Sequence, residues 1–135
     1  ELNGMPGPAH LLEMKDDIAL DQAQIAAIEA IYDEMRDAAI AEGEKLIALE
    51  ADLDRQFRNG TITDDGLRTL LGEIAETGRA LRYVHLATHL KTPGILSQDQ
   101  IAAYNRLRGY GDADPCANVP DGHDPAMWRQ HNGCQ

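Results

Sequence analysis

From Asp21 onward one pattern constrains the chain more than any other: Ile25, Ile28, Ile31, Tyr32, Met35, Ala39, Leu46, Leu49, Leu53 and Phe57 recur at intervals of three and four, with charged residues between them. That spacing lines one face of an α-helix with apolar side chains. Nothing interrupts it before Asn59-Gly60, a helix stop and turn. A helix from Asp21 to Arg58 is about 55 Å long at 1.5 Å per residue, too long to be satisfied by packing within a compact globule, so a second long element is expected alongside. Thr63 offers its N-cap, and Leu67, Leu70, Leu71, Ile74, Gly78, Leu81, His85 and Thr88 carry the periodicity to Thr92-Pro93-Gly94, where it ends.

Composition agrees with helices. Aromatic residues make up 4% of the 135 residues, and the chain is rich in Ala and Leu but poor in β-branched residues. The expected fold is all-α: an elongated antiparallel helical hairpin over residues 21–110 with flanking short helices. Residues 1–20 read as an arm and a short helix around His10 to Met14. Within them Glu1 to Ala9, with Asn3-Gly4, Pro6 and Pro8, read as a mobile arm whose order needs a ligand or partner. Residues 111–135 read as a tail rich in Gly, Asp, Pro and Asn without a core of its own.

Charge narrows the function classes. Twelve Lys and Arg stand against 23 Asp and Glu, a net charge of −11, which leaves no basic footprint for nucleic acid or for an anionic lipid surface. No apolar run approaches the roughly 20 residues that cross a bilayer. The chain begins at Glu1 without an initiator Met, basic stretch or apolar signal core, as expected after processing or trimming. Gly-rich phosphate loops, Cys-x-x-Cys, Gly-x-Ser-x-Gly and His-Glu-x-x-His are missing, and no enzymatic activity is expected. The many carboxylates beside Lys45, Arg55 and Arg58 read as a solvated helix face.

Two short signals repeat. Leu20-Asp21-Gln22-Ala23-Gln24 and Leu96-Ser97-Gln98-Asp99-Gln100 each place an N-cap acceptor three residues before a Gln, and Ile-Ala-Ala follows in both. Each is a reciprocal capping box that starts a helix, and starting a helix is the role read for it. The two boxes, with two long helices between them, resemble the Leu-Thr-x-x-Gln motif family of periplasmic stress and heavy-metal resistance proteins. The likeness covers Leu11 to Tyr110, and Asp21 stands where the family has Thr or Ser. It implies a periplasmic location, a hooked homodimer, and one of two roles. The first is binding of a transition-metal ion for sensing or resistance, read by a membrane-bound regulatory or efflux partner. The second is metal-independent chaperoning.

His85 and His89 lie four apart on the second long helix, so their rings project from one face and can reach one ion. His10 and Met14 are also four apart. In the metal sensors that this chain resembles, two such pairs meet and a carboxylate from the first long helix completes the shell, for which Glu29 and Asp33 are the candidates. The sensors carry two His in the first pair and His then Met in the second, whereas here Met14 falls in the first and His89 in the second. Imidazole and thioether donors disfavour Mg²⁺ and Ca²⁺ and suit copper first, then nickel, cobalt or zinc. The thioether leans towards Cu(I) and a carboxylate towards a divalent ion. Met14 is equally well read as core.

A second cluster lies in the tail, where His123, Met127, His131 and Cys134 are spaced to gather around a soft cation. A disulfide between Cys116 and Cys134 competes with that reading. It would close a loop of about 19 residues worth about 3 kcal/mol, and in an oxidising compartment it is the favoured outcome.

Overall fold

The computed structural model describes residues 4–110, 116, 119, 122, 124–131 and 134, and of His131 only the backbone. Among the described residues five α-helices follow one another: α1 Pro8–Glu13, α2 Gln22–Arg58, α3 Asp64–Lys91, α4 Gln98–Leu107 and α5 Pro125–His131, with a 3₁₀ turn Thr92–Gly94 after α3. The fold is all-helical, and no strand occurs among the described residues. None of the helices is long and apolar enough to cross a membrane.

Helix boundaries follow local chemistry. Asp21 Oδ1 accepts from the Gln24 amide at 2.8 Å while the Asp21 amide donates to Gln24 Oε1 at 3.0 Å, which starts α2. Thr63 Oγ1 accepts from the Gly66 amide at 3.1 Å to start α3. Ser97 and Gln100 repeat the reciprocal box at α4. Gly60, at φ +64, ends α2: its amide donates to Phe57 O and the Thr61 amide to Gln56 O, the paired bonds of a left-handed helix stop. The same pair of bonds closes the turn after α1, but there Ala19 occupies the left-handed position at φ +51, at a steric cost of about 1 kcal/mol that glycine avoids.

The chain divides into two compact units, Glu1–Glu29 with His89–Gln135, and Ala30–Thr88. In the first unit Leu11, Ile18, Ile28, Leu96 and Tyr104 form one buried cluster, with Leu12, Met14, Leu20, Ile95, Ile101 and Ala103 packed against it. Within the segment read as an arm, residues 4–8 pack against the rest of the first unit. Gly4, Pro6, Gly7 and Pro8 are buried, and Thr92 Oγ1 donates to Pro6 O at 2.5 Å. Gly4, at φ +76, lies so close to Asn105 that an added Cβ would fall 2.5 Å from its Oδ1.

In the second unit the long helices pack along one another over Ala30–Arg58 and Asp64–Thr88, joined by residues 59–63. Leu70 and Thr88 are the residues buried there. Ile40, Ile47, Phe57, Leu71 and Tyr83 are exposed, Ile47 to 71%. Ion pairs within each helix dress the outer faces: Arg36 with Asp33 at 3.0 Å, Lys45 with Glu42 at 2.6 Å, Arg68 with Asp64 at 2.7 Å, Arg79 with Glu76 at 2.5 Å, Arg55 with Asp52 and Arg58 with Asp54.

Candidate functional site

Capping chemistry builds the most connected polar site, and it lies in the first unit. Gln24 Nε2 donates to Gln100 Oε1 at 2.8 Å and to Ile95 O at 2.9 Å. Gln100 Nε2 donates to Gln24 Oε1 at 2.9 Å and to Ala19 O at 3.1 Å. Each glutamine therefore caps its own helix, pairs with the other glutamine, and satisfies the carbonyl of a residue just before a box. The repeat signals two caps in the sequence; that the caps interlock is visible only in the folded chain. This joint positions α2 against α4 and the loop Ile95–Leu96 beneath them, and its amide groups satisfy one another.

Both imidazoles of α3 have Nδ1 within hydrogen-bond distance of a main-chain carbonyl. In the first unit His89 Nδ1 lies 2.9 Å from Met5 O, and its ring packs on Gly7, where a Cβ would fall 2.8 Å from Cε1. In the second unit His85 Nδ1 lies 3.0 Å from Leu81 O. A carbonyl can only accept, so in the neutral ring Nδ1 carries the proton and Nε2 the lone pair. That is the tautomer a metal ligand needs, fixed by the hydrogen bond metal-binding histidines commonly make with their other nitrogen.

The remaining candidates divide by unit. In the first, His10 is half-buried on α1, Met14 packs against the core cluster, and Glu29 is exposed on α2. In the second, Asp33 is held by Arg36. Arg36 also donates to Asp37 Oδ1 at 3.1 Å, and that hydrogen bond, with the charges of Asp33 and Asp37, holds its guanidinium above the ordinary value. His85 lines a groove of about 320 Å³ with Tyr32, Met35, Arg36, Ala39, Ile40 and Leu81. Met35 and Tyr32 were legible in the sequence only as members of the apolar stripe. No three His, Cys, Asp or Glu side chains among the described residues converge into a group that could hold a metal ion.

In the tail Cys116 and Cys134 are joined by a disulfide, with Cα atoms 5.4 Å apart. The Cys134 sulfur is therefore not a thiolate donor. Met127 is exposed on α5, Trp128 lies 6.4 Å from the Tyr110 ring, and His123 lies outside the described residues, as does the His131 side chain.

Comparison with protein-family models, with curated proteins and with solved structures gives no match to this chain.

Proposed function

We propose that this chain is a non-enzymatic periplasmic protein of the Leu-Thr-x-x-Gln kind that binds a transition-metal ion, copper first and then nickel, cobalt or zinc, for metal sensing or resistance. One observation carries the reading: both α3 imidazoles have Nδ1 tied to a main-chain carbonyl, so both present a basic Nε2. In the first unit the candidate donors are His89 with His10, Met14 and Glu29; in the second the candidate is His85, the Asp33 carboxylate being paired with Arg36. The tail adds His123, Met127 and His131. The Cys116–Cys134 disulfide supports an oxidising compartment.

With a cation held at Nε2, His89 Nδ1–H would be a stronger donor and would hold Met5, and through it the arm Gly4–Pro8, more firmly to the end of α3. A membrane-bound regulatory or efflux partner would read that difference in arm stability. In this reading the long helices form an antiparallel hairpin, and a second copy of the chain covers their exposed apolar residues in a hooked dimer.

The test is to titrate the purified, untagged protein with each ion separately, following stoichiometry by native mass spectrometry and unfolding by calorimetry. The intact chain is expected to gain bound ion and a higher Tm. His85→Ala and His89→Ala are each expected to lose bound copper and stabilisation together, and unchanged stoichiometry in both variants defeats the reading. The exposed Ile40, Ile47, Phe57, Leu71 and Tyr83 favour a second reading, a metal-independent chaperone. Metal-free protein and both His variants would then suppress aggregation of an unfolded client equally well.

A further inference from the structure

Resting on the metal-binding reading, we infer that the groove of the second unit is a site for monovalent copper, with His85 Nε2 and the Met35 thioether as its donors. Met35 on α2 and His85 on α3 line the same groove. In the neutral His85 ring the proton sits on Nδ1 facing Leu81 O, which leaves the lone pair on Nε2. Met35 is half-buried there, and its sulfur is the soft donor of the groove.

Three features select the ion. The Asp33 carboxylate is engaged by Arg36 at 3.0 Å, and Asp37 accepts from the same guanidinium. Arg36 lines the groove too, and its guanidinium is paired with both aspartates. The other lining residues are Tyr32, Ala39, Ile40 and Leu81. An apolar wall penalises a doubly charged ion far more than a singly charged one, because the cost of leaving water grows with the square of the charge. Cu(I) also accepts a small set of soft ligands, whereas nickel and cobalt favour imidazole with further nitrogen and oxygen donors. Met14, by contrast, is packed against the core of the first unit.

The experiment adds Cu(I) anaerobically as its acetonitrile complex, so that no reductant opens the disulfide, and competes it against a chromophoric Cu(I) chelator. Met35→Leu keeps volume and apolarity, and is expected to weaken Cu(I) binding by about tenfold or more while leaving Ni²⁺ and Zn²⁺ binding and the metal-free Tm unchanged. X-ray absorption of the intact chain is expected to show copper–sulfur scattering that Met35→Leu lacks. If Met35→Leu binds Cu(I) as the intact chain does, or keeps the sulfur scattering, while His85→Ala weakens binding, the Met35 assignment falls and the metal-binding reading stands. If the intact chain binds none of the ions, both fall.

Discussion

In the first unit Leu11, Ile18, Ile28, Leu96 and Tyr104 are buried together, Tyr104 completely, whereas in the second Leu70 alone among the apolar side chains is buried, at 7% exposure. Polar chemistry differs in the same direction. The first unit joins two capping boxes through paired glutamine amides, and the second carries exposed ion pairs one turn apart. A short stretch of helix packed on all sides is held by tertiary contacts, while a long helix with one contact face is held by its own ladder and by whatever covers its apolar stripe. The difference suits one unit to holding groups in place and the other to offering surface.

Truncation of the cores tests that contrast most strongly. Tyr104→Ala is expected to lower the free energy of unfolding by about 3–5 kcal/mol and Leu70→Ala by about 2–3 kcal/mol, since the second site can relax towards solvent. Urea denaturation measures both, and equal losses would break the distinction. Next is the glutamine joint. Gln100→Ala removes bonds to Gln24, Ala19 and the Ser97 amide and should cost about 2 kcal/mol, against about 1 kcal/mol for Asp21→Ala, which removes a cap acceptor. Should the two cost the same, the boxes act only as caps.

The smallest effect belongs to the exposed pairs of the second unit. The hydrogen bond from Arg79, then its charge, lowers the pKa of Glu76. A lowered carboxylate contributes stability above its ordinary pKa and loses that contribution as pH falls through the folded value. In Arg79→Ala the Glu76 titration, followed by carboxyl NMR, is expected to move up towards the ordinary carboxylate value, with little change in Tm near neutral pH. A large fall in Tm would mean that these pairs hold the long helices together.

Local signals made the helices readable. A box at Asp21 and Gln24, a stop at Asn59-Gly60 and a cap at Thr63 each act within a few residues, so the sequence displays cause and effect side by side. The contacts of the arm were not legible because its glycines and prolines carry no polar side chain to announce a partner: the carbonyls at Met5 and Pro6 face His89 and Thr92, 84 and 86 positions away. The interlocked glutamines and the Met35–His85 groove escaped for a related reason. Periodicity assigns a residue to a face without saying which residue of another helix it meets. Spacing of four found His85 and His89, yet the carbonyls that fix their tautomers belong to different parts of the backbone, Leu81 one turn before and Met5 near the start.

Those distant carbonyl contacts also set an order of events during synthesis. A ribosome delivers Met5 and Pro6 84 and 86 residues ahead of their partners His89 and Thr92, and Leu11 well ahead of Tyr104, while residues 30–88 contain both helical stretches needed for local pairing. The earlier segment must therefore wait, exposed to proteases and chaperones, until those distant partners have been made.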